Sequence, residues 1–218
     1  MGEIVLYAFG LAGVRRTAIL QEHMADARMA ANLMQAHWAN KGPNLWTVDL
    51  ITETLVAGQA TYPVDGSTIM ILDAYIRTAN GSGDPIDRPI TPISRTDYAS
   101  FPNKLSEGYP TVYWFDRLIS PTITLWQVPN DGQAYELRYY RFRQIQDAGY
   151  ASGMNVEIPT RWFPAFAVGL AEWLAVTYAP DRADALSKRA DALYDAAATQ
   201  DVENAPTYIT PGLGGYYR

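Results

Sequence analysis

Residues 17–40, TAILQEHMADARMAANLMQAHWAN, decide the fold class. Leu20, Met24, Ala27, Ala31, Met34 and Trp38 recur at alternating steps of four and three. At 3.6 residues per turn these side chains share one face, so the spacing predicts an amphipathic helix with that stripe on a core. The same stripe also suits a seam for a partner helix. Thr17 is the candidate N-cap, and Gly42-Pro43 is the stop. Upstream, Glu3 to Leu11 reads as a shorter helix with Ile4, Val5, Ala8 and Leu11 along one side, closed by Gly13.

Beyond this helix the period changes from helical to alternating. Trp46, Val48 and Leu50 alternate with polar residues. Ile69, Ile71, Asp73, Tyr75 and Arg77 fall on one face of a predicted strand, and Met70, Leu72, Ala74 and Ile76 on the other. Thr111 to Phe115, Thr122 to Trp126 and Tyr135 to Phe142 read as further strands, rich in β-branched and aromatic residues. Residues 78–84, TANGSGD, read as a turn. Ser94 and Asp97 have the spacing of a capping box, so one helical turn is expected near Tyr98. Pro85, Pro89, Pro92, Pro102, Pro110 and Pro121 should confine the strands to short, edge-like pieces.

Helix returns in residues 161–179, RWFPAFAVGLAEWLAVTYA, with Phe163, Ala167, Leu170, Leu174 and Tyr178 on one stripe. Pro164 belongs in a first turn, where its missing N–H costs nothing. Pro180 opens a last helix to about Thr199, with Leu186, Ala190, Leu193 and Ala197 facing inward. The expected fold is α+β. N-terminal helices (1–45) and C-terminal helices (148–201) form a bundle, a small antiparallel β-rich region (46–147) is inserted between them, and an extended tail (202–218) follows.

That tail contains ENAPTYITPGLGGYYR, with no helical or strand period. It has too few apolar groups to offset its own ordering entropy, yet more than a solvated tail needs. Pro206, Tyr208, Ile209, Pro211, Leu213, Tyr216, Tyr217 and Arg218 are therefore the candidate anchors of a segment that orders on another chain. Folding back onto its own domain is the alternative.

Composition narrows the function classes. The chain has 218 residues, which suits one domain with an insertion. A formal charge of −6 argues against a dedicated nucleic-acid binder, though DNA could slide past such a surface without sticking. There is no cysteine, which excludes disulfides and thiolate chemistry. The 15 Tyr and 6 Trp suit surfaces that are apolar but must still hydrogen-bond. The apolar start MGEIVLYAFGL is too short to span a bilayer, and Leu6 breaks the myristoylation pattern, so no membrane association is expected.

A search for chemistry finds little. His23 and His37 lie on one helix, ~21 Å apart at 1.5 Å per residue, and cannot share a metal ion within a subunit. Gly212-Leu213-Gly214-Gly215 has no following helix to receive a phosphate. Glu157 and Glu172 are the candidates for a hydrolase carboxylate pair, although Glu172 fits solvent or an ion pair better. Arg138, Arg141 and Arg143 with Tyr139 and Tyr140 form an aromatic-basic cluster that could contact nucleic acid. Arg138 and Arg141 point to opposite faces of a regular strand, so a sheet with salt bridges is the better reading. No catalytic residue, cofactor or metal is expected.

Several stretches together carry a family likeness. They are HWANKGPNLW (37–46), VAGQATYPV (56–64), PITPISRTDYASFPNK (89–104), GYPTVYWFD (108–116), LWQVPNDGQAYELRYYR (125–141) and IPTRWFPAFAVGLAEWLAVTYAP (158–180). In their order and spacing the chain resembles the head-to-tail adaptors of tailed bacteriophages, especially the tail-tubular or tail-accessory adaptors of short-tailed phages. The one departure is Pro164, where the family more often has an ordinary helix former. The resemblance implies a structural virion protein, assembled in the bacterial cytoplasm and not an enzyme. It implies a ring, usually of twelve copies, below the portal protein, joined to a tail nozzle or tail tube protein and continuing the channel for genomic DNA. Portal docking would then fall to residues 205–218. Two other readings stand beside it: a tail-completion or stopper ring of a longer-tailed phage, and a virion-associated peptidoglycan hydrolase using Glu157 or Glu172.

Overall fold

The computed structural model describes residues 2–42, 45–79, 84–145 and 157–202. The tail anchors from Pro206 to Arg218, and the tip of the expected 78–84 turn, lie outside the described residues.

Helix α1 (Gly2–Leu11) ends as Gly13 led one to expect. Gly13 has φ +84°, its N–H bonds to the Gly10 carbonyl, and the Val14 N–H reaches back to Phe9. This pair of bonds is a Schellman motif, which needs a residue free to adopt left-handed backbone. Helix α2 (Gln21–Lys41) starts four residues later than Thr17, which instead lies in a 3₁₀ turn over Arg16–Ala18. The capping is done from inside the helix. His23 Nδ1 accepts the Leu20 N–H at 3.1 Å, standing where a capping-box Glu or Gln would stand. Ala27, Ala31, Met34 and Trp38 are buried. Leu20 and Met24 are exposed, because the late start leaves them at the overhanging end of the stripe.

Helix α4 (Phe163–Tyr178) packs against α1, α2 and α5 (Pro180–Gln200). Residues Ala165 through Ala171 are all buried, so this helix is enclosed on several sides and not along one stripe. Phe163, expected inside, is exposed; Trp162, just before the helix, is buried in its place. Pro164 sits in the first turn. Helix α5 buries Leu186, Ala190 and Tyr194. The rings of Trp38, Trp46 and Tyr194 surround Trp162 at centroid distances of 5.4, 4.8 and 5.3 Å. Trp46 therefore belongs to the helical core; it lies in a 3₁₀ turn (Leu45–Thr47) ahead of the first strand and not in the strand.

The strands are β1 (Val48–Thr54), β2 (Thr61–Pro63), β3 (Thr68–Ala79), β4 (Pro85–Pro92), β5 (Glu107–Gly108), β6 (Val112–Asp116), β7 (Thr122–Trp126), β8 (Val128–Pro129) and β9 (Tyr135–Arg143). Seven form one sheet in the order β1-β9-β3-β4-β6-β7-β2, and β5 pairs with β8 apart from it. Between β4 and β5 lies the short α3 (Arg95–Ser100), capped as its sequence predicts: Ser94 Oγ accepts the Asp97 N–H at 3.0 Å. Within the sheet, Ile71, Ala74, Ile76, Tyr113, Ile123, Leu125, Leu137 and Tyr139 form an apolar cluster distinct from that of the helices.

Three features depart from the sequence expectations. The strands are not all antiparallel, since β4 runs parallel to β6 and β5 to β8. Residues 93–111, with α3 among them, form the long crossover that a parallel pair requires. Second, β3 slips register against β9 between Ile71 and Asp73. The bulge places Ile71 and Ala74 in the same core, so Ile71 does not share a face with Tyr75 and Arg77. Third, the proline-rich β4 lies inside the sheet. Its pairing with β6 covers only Thr91 and Pro92, so Pro85 and Pro89, which stand opposite Ala79 and Tyr75 of β3, face no β6 residue on their other side.

Candidate interaction surfaces

Where α2, α4 and α5 meet, a cleft of about 300 Å³ opens between the helices. Met34, Trp38, Trp173, Val176 and Tyr194 supply apolar walls. Gly169 lets α2 and α4 approach closely here, since a Cβ at that position would stand 2.7 Å from Met34 Sδ. Lys41 crosses the rim to Asp191 at 3.0 Å, and its ammonium lies 4.5 Å from the Tyr194 ring centre. Burial raises the Tyr194 hydroxyl above the usual phenol value. Glu172 and His37 complete the rim. Among the described residues Glu172 has no ion-pair partner.

The two carboxylates considered for hydrolysis have different settings. Glu157 offers both oxygens to Arg143, at 2.8 and 2.5 Å, and Arg143 also bonds Asp49 at 2.7 Å. These bonds hold the Arg143 guanidinium firmly charged, well above its ordinary range. A carboxylate fixed by a two-pronged arginine is a poor proton donor. Glu172 belongs to the helical cleft, whose lining does not include Glu157.

The aromatic-basic cluster is divided and neutralised. Arg138 bonds Glu136 at 2.9 Å on one face of β9. Arg141 reaches Asp65 at 3.3 Å, Asp49 at 3.5 Å and Thr68 Oγ1 at 3.1 Å on the other. Asp65 is held below the usual carboxylate range, chiefly by the Ser67 hydroxyl and then its N–H. Sequence reading found the arginines but missed their partners. Asp49 becomes one only because β1 sets it opposite Arg141 in register.

Of the two histidines, His37 is exposed beside the cleft and His23 serves packing as well as capping. His23 stacks on Tyr178 at 5.3 Å and meets the edge of Phe9 at 5.9 Å. The Tyr178 hydroxyl donates to Asp26, a bond that pushes its pKa up to about 12. Among the described residues no cluster of His, Cys, Asp or Glu is arranged to hold a metal ion.

One surface feature passed unnoticed in the sequence. The β6–β7 hairpin ends in Arg117-Leu118-Ile119-Ser120, where Leu118 is 64% and Ile119 99% exposed. Arg117 beside them is exposed and has no ion-pair partner among the described residues. A turn is ordinarily polar, and the Leu-Ile pair in this one was the available signal.

No curated protein matches the chain. A family model described as SU10 adaptor protein matches residues 11–211, from the end of α1 into the tail. This agrees with the likeness to phage head-to-tail adaptors carried by the quoted stretches. With the match covering nearly its whole length, the chain belongs to the SU10 adaptor protein family.

Proposed function

We propose that this protein is a structural ring of the phage neck, joining the portal to the tail and continuing the DNA channel, as in short-tailed phages. The observation that carries the reading is the family match over residues 11–211. A structural adaptor family points to binding and not to catalysis. The surfaces agree with that: an apolar cleft, an apolar hairpin tip and paired charges. In this reading the helices form the body of the ring, with the sheet inserted between their two halves. Neighbouring copies, about twelve, pack side by side, the portal lies on one side, and a tail nozzle or tube protein lies on the other. Residues 205–218 dock on the portal through Tyr208, Ile209, Leu213, Tyr216 and Tyr217. DNA passes the acidic protein without specific binding. Among the described residues no helix is long and apolar enough to cross a membrane.

The test is capture by purified portal rings of the full chain and of a chain ending at Asn204. The full chain should bind and add a coaxial ring with a central hole, seen by electron microscopy, and the shortened chain should bind at least tenfold more weakly. Undiminished capture of the shortened chain would remove the docking role of the tail. A chain that never adds a ring to any portal offered would remove the adaptor reading.

A further inference from the structure

The molecule carries a knob on the sheet and a hole among the helices, of matching character. The knob is the β6–β7 tip, with Ile119 almost wholly in solvent, Leu118 beside it and the exposed cation of Arg117 preceding both. Such exposure means that Ile119 packs on no helix of its own chain. The hole is the α2–α4–α5 cleft, walled by Trp38, Trp173, Val176 and Tyr194, with the carboxylate of Glu172 at its rim. Its volume of about 300 Å³ is small for a ligand pocket, and suits one or two aliphatic side chains. The charges are complementary as well: among the described residues, neither the Arg117 cation on the knob nor the Glu172 carboxylate on the hole has an ion-pair partner.

A knob and a hole on one molecule make a head-to-tail contact between copies, which closes into a ring when the rotation per step allows. We propose that the Leu118–Ile119 tip of one copy seats in the α2–α4–α5 cleft of the next, with Arg117 against Glu172. The proposal rests on the ring reading above and assigns the faces that meet.

The chain has no cysteine, so introduced thiols report without background. Full-length protein carrying Ile119→Cys and Val176→Cys would be assembled on purified portal rings and treated with a short bismaleimide. Both positions are exposed, so neither change disturbs a core. Adjacent copies should be linked into a ladder reaching the ring number, while either single variant links none. Arg117→Glu should lower the yield of rings about tenfold, and adding Glu172→Arg should restore it. Rings that form yet give no ladder, or a ring yield unmoved by Arg117→Glu, would overturn this contact and leave the adaptor reading standing. Absence of rings with the unaltered chain would overturn both.

Discussion

Trp162 offers a sharp test of how the helical core is held. It is 1% exposed and walled by Trp46, Tyr194 and Trp38 at 4.8 to 5.4 Å. Its indole N–H is buried and has no hydrogen-bond partner among the described residues. Trp162→Ala empties a site that its stiff aromatic neighbours cannot refill, so the cost should be ~3–5 kcal/mol. Trp162→Phe keeps a ring among the others and forfeits roughly half the packing, ~1–2 kcal/mol. It also deletes an unsatisfied donor whose burial penalises the native state by ~1–3 kcal/mol. The two effects oppose each other, and the net cost should fall within ~1 kcal/mol. Urea unfolding followed by far-ultraviolet circular dichroism measures both variants without using tryptophan emission, which the substitutions alter. A Trp162→Phe loss as large as that of Trp162→Ala would refute the reasoning, because packing alone would then account for the site.

Other outcomes follow from single contacts. Gly13→Ala forces a side chain into left-handed backbone at φ +84° and should cost ~1 kcal/mol by urea midpoint, whereas Gly10→Ala, with open space around it, should cost nothing. Arg143→Met leaves Asp49 and Glu157 without their shared partner; since both acids are about one-third exposed, the loss should be ~1–2 kcal/mol and smaller at high salt. Tyr178 has a folded pKa of about 12 against an ordinary 10.0, caused chiefly by its bond to Asp26. Its contribution is complete below pH 10; above that the unfolded chain loses the proton first, so stability should fall as pH rises from 10 toward 12. Tyr178→Phe should make that alkaline decline in thermal melting shallower, and an unchanged slope would count against the bond.

The sequence made the helices legible because their signals are local and repeated. Ala27, Ala31, Met34 and Trp38 recur at helical spacing and are buried together. Ser94 and Asp97 cap α3 because a capping box needs only its own four residues. Starts were harder to read. Thr17 is a good N-cap by type, but His23 took the capping role at Leu20, and a histidine at that position is not an ordinary signal. The bulge at Ile71–Asp73 left no trace either. Residues 69–72 are apolar on both faces, so either alternation fits, and only pairing with β9 decides. Trp162 escaped the periodic search because it sits just outside a regular element, and Trp46 was drawn into the alternation of a strand that starts only after its 3₁₀ turn. Likewise Asp49 meets Arg141 and Arg143 only through strand register, while Asp65 and Glu157 reach them from outside the strands, where no periodic pattern points to them. The exposed Leu118–Ile119 tip was open to reading, but two apolar residues between apolar strands blend into their pattern, and only the fold shows that nothing covers them.

The pairing of β1 with β9 has a consequence for how such a chain can change. Val48, the first residue of the sheet, lies opposite Phe142, one residue before its last strand ends. The sheet thus begins and ends at one spot, its first and last threads about a strand spacing apart. Everything from Val48 to Phe142 is a segment whose ends already touch. Lengthening, trimming or exchanging that segment adds little closure entropy, which grows only slowly with length. A lineage could therefore refit the sheet to a new neighbour while the helices keep their own fit, and a short turn grafted between Thr47 and Arg143 should leave the helices folded.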